Sequence, residues 1–527
     1  MPGGGLFILV AYGSQNVILS GNPDFTYFYT IMKKYSHFSF ESVTLPLEGP
    51  QELFFDEPIQ LRAKIQRIGD LLSELYFTFT IPDIYSKYFN PNLSGPLNGR
   101  SQYQFQWTRY IGAQIIQNAV FLIGGTQIQE FDSDYIISTA ITDQDETQYN
   151  KWQQLVGDIP EIYDPANGKY SGVSSGAPLT RTRGLYPNVY QNQGVSIQAQ
   201  TNFPSIPGRD ITLPLSFWFS QNPALALPLI SLQYHECEVQ LTLRPIRDLY
   251  TILDPSGFRV RPQTKVNSSR SQLQSGNVSY TIDNDPGIYI NNFLTDIGYT
   301  IPTLNTWPLN PRLQATYIYL TDDERRTFAI KPLNYIVRQV TNYKFENFSS
   351  RQLFDLYTHN PVPRLIILPR RTDYLKNLNA WTNFTNWWLY PNAPFIPAFS
   401  SIPVGGYSGQ LQAGLQQDII NNIRIVCDGN EIQELKPLQY FNEISSWKYA
   451  SGVFPPGLAI YSFALDTSKW IKPSGSLNTS RVKNFQIDID PWPIVTGSLF
   501  AYNFSVYVES INFLIIEGGM GGMKYAT

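Results

Sequence analysis

The sequence has few charged residues and no run of positive charge. Asp, Glu, Lys and Arg together make up 15% of its 527 residues, well below the roughly 25% usual in soluble proteins. The formal net charge is −4, and Arg325-Arg326 and Arg370-Arg371 are isolated basic pairs. Because nucleic-acid-binding proteins carry a basic patch or stripe, this composition argues against direct contact with nucleic acid.

Cysteine and histidine are scarce as well. Only Cys237 and Cys427 are present, whereas a disulfide-stapled secreted protein uses more, so we expect two buried free thiols on strands. The three histidines, His37, His235 and His359, have no ligand spacing with one another or with the cysteines. Because a protein metal site needs several such ligands, no metal site is predicted.

Long hydrophobic runs are also missing. The longest clean apolar run near the start covers residues 6–11, far short of the roughly 20 residues that span a membrane. Met1-Pro2-Gly3 lacks the basic start of a signal peptide. Residues 1–24 read as an apolar arm that is too short to make its own core. We expect this arm to pack on its own domain or on a neighbouring molecule.

One segment of the chain occurs twice. Residues 115–131 (IIQNAVFLIGGTQIQEF) match residues 419–435 (IINNIRIVCDGNEIQEL) at seven of seventeen positions. Each copy reads as a strand, a tight turn and a second strand, because Gly124-Gly125 and Asp428-Gly429 suit the positive φ of a hairpin turn. Two related hairpins about half a chain apart predict a duplicated domain.

Apolar and polar residues alternate along several short segments, which are typical of strands with one buried face. The clearest of these segments are 77–81, 237–244, 316–320, 485–490 and 502–509. Turn-rich sequence separates them, and this arrangement favours two antiparallel β-sandwiches. The residues expected to point into the sandwich interiors include Phe121, Ile123, Ile423 and Ile425.

Residues 142–157 are the best helix candidate. Asp143 and Glu146 have capping-box spacing, and Gly157 is suited to end a helix. The acidic cluster of Asp143, Asp145 and Glu146 could also form a cation site. Charges in a first helical turn, which the helix dipole favours, explain the cluster more simply.

Three long stretches have little periodicity. Residues 158–210 are rich in Gly, Ser, Pro and Asn, and residues 372–418 are rich in aromatic residues and Pro. The first is too long for an ordinary connection, so we expect a functional or decorated loop, and the second is expected to be an insertion. Residues 248–310 are rich in turns, and we expect them to form a connector that packs across both domains.

Other residues that suggest chemistry have plainer structural explanations. Residues 322–326 (DDERR) fit a solvated turn better than a catalytic cluster. Trp381, Trp387 and Trp388 could stack on sugars, but aromatic residues are as common in packed loops and subunit contacts.

Two motif-like segments also lack the context that their chemistry needs. His235-Glu236 is not followed by the second histidine of H-E-x-x-H, and the glycines at 518–522 lack the strand–helix context of a phosphate loop. No catalytic, cofactor-binding or metal-binding residue is therefore predicted.

Several sequence blocks resemble one known family. They are GGGLFILVAYGSQNVILSGNPDFTYF at the start, IQRIGDLLSELYFTFTIP (65–82), LPLSFWFSQNPALALPLISLQYHECEV (213–239), YIYLTDDERRTFA (317–329), GLAIYSFAL (457–465), PSGSLNTSR (473–481) and EGGMGGMKY (517–525). In this order they resemble the major capsid proteins of nucleocytoplasmic large DNA viruses. The matches span nearly the whole chain, with long unmatched insertions between them.

The resemblance implies an all-β fold of two consecutive eight-stranded antiparallel jelly rolls, with long loop insertions and few short helices. The expected division is an arm at 1–24, a first jelly roll at 25–247, a connector at 248–310 and a second jelly roll at 311–527. The implied role is that of a non-enzymatic building block without a cofactor. It forms homotrimeric, pseudo-hexagonal capsomers that tile the icosahedral shell of a large double-stranded DNA virus.

The resemblance also implies partners and a location. The implied partners are neighbouring capsomers, minor capsid and penton proteins, and an inner layer close to the membrane. The implied location is the virion capsid, after assembly in the host cytoplasm. An alternative is a glycan-acting enzyme or lectin on a double β-sandwich, which needs a convergent acid/base pair or a metal site. Fold alone does not decide between these functions.

Overall fold

Strands dominate the fold. The computed structural model describes residues 3–30, 32–86, 104–165, 204–253, 259–262, 271–272, 279–280, 288–295, 300–387, 416–468, 472–494 and 500–525. The strands of the first half are β1 (Phe38–Leu45), β2 (Glu52–Phe54), β3 (Ile59–Lys64), β4 (Leu71–Ile81), β5 (Gln104–Trp107), β6 (Ile116–Ile123), β7 (Thr126–Phe131), β8 (Arg209–Pro214), β9 (Leu227–Pro228), β10 (Cys237–Leu243), β11 (Tyr250–Leu253), β12 (Arg259–Val260), β13 (Ser271–Gln272), β14 (Ser279–Tyr280), β15 (Thr306–Pro308) and β16 (Arg312–Leu320). The strands of the second half are β17 (Leu333–Phe348), β18 (Gln352–Asp355), β19 (Pro361–Val362), β20 (Arg364–Arg371), β21 (Ile420–Cys427), β22 (Asn430–Pro437), β23 (Ala459–Ser462), β24 (Leu477–Asn478), β25 (Phe485–Pro491), β26 (Tyr502–Glu517) and β27 (Met520–Met523).

Each half folds into a sandwich of two antiparallel sheets. The first sandwich contains the sheets β1-β16-β4-β8 and β3-β10-β6-β7, and the second contains β17-β26-β20-β23 and β18-β25-β21-β22. In both, the first strand of the sandwich lies beside the last, and the hairpin of the repeat forms one end of the second sheet. The strand order is therefore the same in both sandwiches. It is that of an eight-stranded jelly roll, and the predicted fold class is confirmed.

Alternate residues of the strands fill the sandwich interiors. Phe121 and Ile123 lie in the first hydrophobic cluster, whereas Ile423 and Ile425 lie in the second, and none of the four is exposed to solvent. The predicted core positions are thus confirmed. Burying each such side chain contributes roughly 1.5–3 kcal/mol.

The repeated segment forms the same hairpin in each sandwich. Gly124 and Gly125 join β6 to β7 with φ of 57° and 79°, and Asp428 and Gly429 join β21 to β22 with φ of 49° and 80°. Positive φ at both turn residues gives a two-residue turn whose twist matches that of the strands. The prediction that 115–131 and 419–435 are equivalent is therefore confirmed by their positions in the sheets.

The predicted start of the second jelly roll at residue 311 is wrong. Strand β16 pairs with β1, from Phe38 opposite Leu320 to Leu45 opposite Leu313, and with β4 on its other side. It therefore completes the first sandwich. Alternation identified residues 316–320 as a strand, but its sheet is decided by pairing partners that lie far earlier in the chain.

The helices are short, as expected, but their positions partly differ from the prediction. They are α1 (Gly4–Val10), α2 (Ser14–Ser20), α3 (Ile111–Gln114), α4 (Ser133–Asp143), α5 (Glu146–Leu155), α6 (Pro160–Tyr163), α7 (Asp322–Ile330) and α8 (Ser445–Tyr449). The helix predicted at 142–157 is α5, and Asp145 rather than Asp143 caps it by accepting a hydrogen bond from the Gln148 backbone N–H at 2.7 Å. Asp143 belongs to α4.

Helix α4 escaped the sequence analysis for two physical reasons. Its sequence, SDYIISTAITD, is rich in β-branched residues, which favour strands. Nearly all of its residues are buried, so it lacks the polar face that makes a helical period visible. The Asp132 carboxylate caps its start by accepting a hydrogen bond from the Tyr135 backbone N–H at 3.0 Å.

The solvated turn predicted at 322–326 is the start of a helix. Asp322, Asp323 and Glu324 occupy the first turn of α7, where the helix dipole stabilises negative charge. Arg325 donates to both carboxylate oxygens of Asp70, at 3.0 and 3.1 Å. Helix α7 therefore links the two sandwiches and is tied to the first.

The described parts of the predicted connector contact both sandwiches. Strand β11 pairs with β5, and β15 pairs with β2, so both join the first sandwich. From the second half of the chain, the Asn379 side chain donates to the Tyr250 carbonyl at 2.8 Å, and the Trp381 indole N–H donates to the Asp248 carbonyl at 3.0 Å.

Candidate assembly surfaces

Helix α4 of the first sandwich lies on the outer face of the sheet β17-β26-β20 of the second. Along β20, Leu365 and Ile367 belong to the core of the second sandwich, whereas Ile366 and Leu368 belong to the cluster that includes α4. Every residue of β20 is buried. Both faces of this sheet are therefore buried. Its inner face lies in the core of the second sandwich, and its outer face packs against the first sandwich.

Buried ion pairs hold the centre of this junction. Arg364 and Glu509 are both fully buried and approach to 2.8 Å, and Arg364 also donates to the two oxygens of Asp143 at 2.5 and 2.9 Å. Glu509 accepts from Arg338 at 3.1 Å and from the Tyr135 hydroxyl at 2.8 Å. Burial opposes ionisation of Glu509, but Arg338 and Arg364 outweigh it and hold the carboxyl pKa below its ordinary value.

A second acidic pair lies at the start of α4. Arg370 donates to both oxygens of Asp134 at 2.6 and 2.7 Å, and the Tyr507 hydroxyl donates to Asp132 at 2.8 Å. Burial raises the pKa of Asp132, and the neighbouring Asp134 charge raises it further. Burial also disfavours the Asp134 charge, but Arg370 holds the pKa of Asp134 below its ordinary value. Arg370 thus keeps Asp134 charged, whereas the position of Asp132 disfavours its charge.

The free edge of the first sandwich is also closed by the second. Gln129 on β7 donates to the Arg338 carbonyl at 3.0 Å, and Gln339 on β17 donates to the Ile128 carbonyl at 3.1 Å. The second of these bonds pairs a backbone carbonyl of the edge strand β7, and edge strands otherwise offer unpaired backbone groups. The two jelly rolls therefore form a single unit rather than two domains on a flexible tether.

Sequence reasoning missed these junction residues. Arg364, Arg370 and Glu509 interrupt otherwise apolar strand segments, and a charge inside such a strand is the only local signal. That signal does not reveal the partner, because the partner lies on the other sandwich. The acidic cluster at 143–146 was noticed, and its Asp143 serves the junction rather than a cation site.

Surfaces equivalent to those of the junction remain exposed elsewhere. In the second sandwich, β22 is followed by a turn of π-helix (Tyr440–Ile444) and then by α8. Ile444, at the end of the π-helical turn, is 50% exposed, and Trp447 on α8 is 86% exposed. In the first sandwich, β1 is exposed along most of its length, and Phe40 is 59% exposed. Exposed large apolar side chains such as these mark regions that contact other molecules.

The amino-terminal arm is exposed as well. Residues 3–30 are all exposed, and neither α1 nor α2 buries a residue. The arm thus does not pack on its own domain, which was one of the two expected arrangements. Its apolar run at 6–10 faces solvent, which leaves packing on another molecule as the expected arrangement.

The cysteines and His235 have structural surroundings. Cys237 and Cys427 are buried free thiols on β10 and β21, as predicted, and burial raises the pKa of Cys237 to about 12 and that of Cys427 to about 11. His235 Nδ1 accepts from the Gly521 backbone N–H at 3.2 Å. Glu236 pairs with Lys64 at 3.1 Å on the surface. His235 therefore ties β27 to the first sandwich, and Glu236 forms a solvated pair.

The aromatic and loop candidates are described in part. The Arg244 guanidinium stacks on the Trp381 ring, 4.0 Å from its centroid, so this tryptophan packs between the two halves of the chain. Trp388 and most of the predicted insertions at 158–210 and 372–418 lie outside the described residues.

A cavity of about 480 Å³ opens beside the junction. Its lining residues are Tyr135, Thr139, Ala140, Asp143, Gln144, Gln148, Ser216, Gln221, Asn222, Ser468 and Lys472. The single acid in this lining, Asp143, is paired with Arg364. Glycoside hydrolysis uses two carboxyl groups flanking the bond, which this lining does not supply.

Metal-binding clusters and membrane-spanning helices are both missing from the described residues. In the described ranges, no three His, Cys, Asp or Glu side chains are grouped closely enough to hold a metal ion. None of the helices placed by the structure has the length and apolar character needed to cross a membrane.

Two family models match the chain in tandem. The model described as "Major capsid protein N-terminus" matches residues 26–283, and the model described as "Large eukaryotic DNA virus major capsid protein" matches residues 324–522. The gap between the two matches contains β16, the last strand of the first sandwich, and the start of α7.

Relatives and solved structures agree with these matches. The chain is 24% identical to a major capsid protein of Phaeocystis pouchetii virus and 25% identical to one of Paramecium bursaria Chlorella virus 1, in each case over 99% of this chain and 100% of the relative. Its fold matches a chain of the PBCV-1 virus capsid with a TM-score of 0.61 at 19% identity, covering 95% of this chain and 100% of that chain. The Faustovirus major capsid protein matches with a TM-score of 0.60 at 12% identity, covering 96% and 94%. Together with the double jelly roll on which these matches fall, they show that the chain belongs to the major capsid proteins of large eukaryotic DNA viruses and is a structural protein of the virion capsid.

Proposed function

We propose that three copies of this chain form a capsomer with a pseudo-hexagonal outline, and that capsomers tile the flat facets of an icosahedral shell. One observation carries the proposal: each chain contains two sandwiches of identical strand order, joined side by side through α4 and the buried ion pairs. A rigid pair of similar bodies is the unit that such a capsomer needs.

Symmetry links this unit to the tiling. Three chains around a three-fold axis set six similar sandwiches around one centre, and closed rings of this kind are common among homo-oligomers. A roughly six-sided unit fills a plane with less empty space than a trimer of single domains. The low charge and high aromatic content of the chain suit extensive contacts, because obligate interfaces bury on the order of 2,000 Å² or more.

The capsomer acts without catalysis in this proposal. The residues that suggest chemistry are engaged in packing or in ion pairs: His235 with Gly521, Asp143 with Arg364, and Trp381 with Arg244. No observation favours the glycan-acting enzyme or the lectin. A hydrolase activity that disappears in Glu236→Gln would overturn this part of the proposal.

We also propose partners for the exposed surfaces. The exposed arm at 1–24 faces the capsid interior and meets minor capsid proteins or the layer near the membrane. We expect the predicted insertions at 158–210 and 372–418, most of whose residues lie outside the described ranges, on the outer face, where loops tolerate variation. Neighbouring capsomers and penton proteins contact the rim, and assembly takes place in the host cytoplasm.

The division of the chain follows the strand pairing. We place the arm at 1–24 and extend the first jelly roll through β16, so that it includes the connector at 248–310. The second jelly roll begins after α7. Separate expression of 25–321 and 322–527 tests this division: the first fragment is expected to be soluble only when β16 is present.

Mass photometry of the purified chain tests the trimer. We expect a mass three times that of the 60.1 kDa chain, and a six-sided outline in cryo-EM images. A stable monomer at micromolar concentration, with no trimer in any assembled particle, would falsify the trimer. Limited proteolysis of intact virions tests the orientation, since cleavage in the arm before the two insertions shows that the inner and outer faces are reversed.

A further inference from the structure

The junction inside the chain has two sides, and each has an equivalent in the other sandwich. One side consists of β7 and the helix that follows it, α4. The equivalent in the second sandwich consists of β22 and the helical segment 440–449, since β7 and β22 end the two copies of the repeat. We call this equivalent the second helical edge. Nearly all residues of α4 are buried, whereas Trp447 and Ile444 on the second helical edge are largely exposed.

The receiving side is the outer face of β17-β26-β20, and its equivalent is the outer face of β1-β16-β4. We call this equivalent the first outer face. Ser42 on β1 lies opposite Thr316 on β16, which lies opposite Glu74 on β4. All three side chains are at least partly exposed, and Phe40, one pleat away on β1, is 59% exposed. The corresponding row in the second sandwich, which contains Glu509 and Arg364, is buried beneath α4.

Among the described residues, one chain therefore covers one helical edge and one outer face, and leaves the other helical edge and most of the other outer face exposed, apart from Ile318, against which Phe328 of α7 packs. We infer that the second helical edge of one chain packs on the first outer face of a second copy, and thereby repeats between chains the contact that α4 makes within a chain. The inference rests on the proposed trimer and names its surfaces. Such a contact joins two different surfaces, so repeated copies must close into a ring or form an open filament.

The chemistry of the unused surfaces fits a contact between separately folded chains. At the repeat offset, Asp143 of the first sandwich corresponds to Trp447 of the second. A charge that holds the internal junction is thus replaced by an exposed apolar side chain. Two folded chains must strip water from their surfaces when they meet, and doing so costs less for apolar groups than for charges. Aromatic residues at the centre of an interface also carry much of its binding energy.

Cysteine cross-linking tests which surfaces meet. A Ser42→Cys, Trp447→Cys double variant places one thiol on each surface, and a flexible bismaleimide is used to join them. Native Cys237 and Cys427 are buried, so the wild-type chain supplies the background. We expect covalent dimers and trimers from the double variant and only monomers from each single variant, because each thiol faces the other surface.

A matched pair, Ser42→Cys with Tyr357→Cys, is the control. Tyr357 is exposed and follows β18, at the opposite edge of the sheet that contains β22. Trimers by mass photometry with cross-links in the control pair but not in the Trp447 pair would show that the trimer exists and that our surfaces are wrong. Cross-linking of Trp447→Cys alone would show a two-fold contact between identical surfaces, which also contradicts the inference. A wild-type monomer would instead refute the proposed trimer itself.

A single substitution supplies a second readout. Trp447→Glu is expected to raise the trimer dissociation constant by roughly tenfold or more, as for a central interface aromatic. Because Trp447 is exposed within one chain, the monomer is expected to keep its circular dichroism spectrum and thermal midpoint. Tyr357→Glu is the matched exposed aromatic and is expected to leave the dissociation constant unchanged. Equal effects of the two substitutions would contradict the inference.

Discussion

The two sandwiches share a strand order but differ in what covers their larger sheet. In the second sandwich every residue of β20 is buried. In its equivalent in the first sandwich, β4, the outer-face residues Glu74, Tyr76 and Thr80 are only half-buried. The side chains differ accordingly. Arg364 and Arg370 point out of β20 into paired, buried positions, whereas Tyr76 and Thr80 point out of β4 towards solvent. The shared topology therefore fixes the direction in which each side chain points. Whether the other sandwich covers that position determines which type of side chain is stable there.

The comparison also shows that the few charged residues of the chain are concentrated at the junction between the sandwiches. The chain has few charged residues, but several of them meet at one buried junction. A buried ion pair is costly unless each charge has a partner and further hydrogen bonds, and the junction supplies both. We infer that the buried ion pairs mainly fix the orientation of one sandwich relative to the other, since only one arrangement of the two pairs all of these groups.

The largest expected effect comes from breaking one of the two cores. Phe121→Asp places a carboxylate in the interior of the first sandwich, where the wild-type ring is fully buried. It loses roughly 1.5–3 kcal/mol of burial and adds the cost of a buried charge, so we expect insoluble protein. Soluble yield after expression measures this outcome, with Tyr357→Asp on the surface as the control. A normal soluble yield of Phe121→Asp would contradict the core assignment.

The next effect contrasts a buried ion pair of the second sandwich with an exposed pair of the first. Glu509→Gln removes the negative charge that Arg338 and Arg364 share, and we expect it to lower the free energy of unfolding by about 3–5 kcal/mol. Asp210→Asn removes a partner of Arg312 at the surface and is expected to cost less than about 1 kcal/mol. Urea unfolding curves of the two variants measure the contrast. Equal shifts of the urea midpoint would show that the junction carries no special weight.

Acid is expected to weaken the junction between the two sandwiches. The pKa values of Glu509 and Asp134 lie below their ordinary values of 4.5 and 3.8 in the folded chain. Their stabilisation is therefore complete above those ordinary values and is lost as pH falls through the folded values. The raised pKa of Asp132 has the opposite sign, because its protonation on acidification relieves the cost of a buried charge.

The measurement is the urea midpoint as a function of pH. We expect the midpoint of the wild-type chain to fall below about pH 4.5, and the fall to be shallower in Glu509→Gln, which has lost one of the titrating groups. Asp132→Asn is expected to remove the opposing contribution and therefore to make the fall steeper. Parallel profiles for the wild-type chain and Glu509→Gln would contradict this account.

The smallest expected effect concerns the hairpin turn of the repeat, which is alike in the two sandwiches. Gly125 and Gly429 have φ of 79° and 80°, and an added Cβ meets nothing within 4 Å at either position. Alanine at each site therefore costs only the strain of the left-handed conformation, about 1–2 kcal/mol. We expect the same loss in the free energy of unfolding for both variants. A clear difference between them would show that the two turns are not equivalent.

Much of the fold was accessible from the sequence because its signals are local. The alternation at 237–244 and 485–490 identified strands β10 and β25 from the side chains alone. The turn chemistry of Gly124-Gly125 identified a hairpin in the same way. In contrast, β16 was placed in the wrong half, because strand pairing depends on residues that are distant in the chain.

The candidate assembly surfaces were less accessible, and the reason lies in burial. Asp143 was read as a residue of a first helical turn, but it pairs with Arg364 across the junction. Helix α4 was missed because its residues are buried on nearly all sides and show no polar face. In the sequence, Trp447 cannot be told from any other surface tryptophan. Its position becomes informative only when the structure shows that its equivalent, Asp143, lies at the junction.

By itself the sequence determined the all-β class, the duplication, the two buried thiols and the core positions of the repeat. These properties follow from side-chain periodicity and backbone turn preferences, which act over a few residues. The tertiary structure alone decided which strands share a sheet, which sheet is covered on both faces, and which charges are buried together. Those outcomes depend on groups hundreds of residues apart, and desolvation and ion pairing act on them only after the chain has brought them within contact distance.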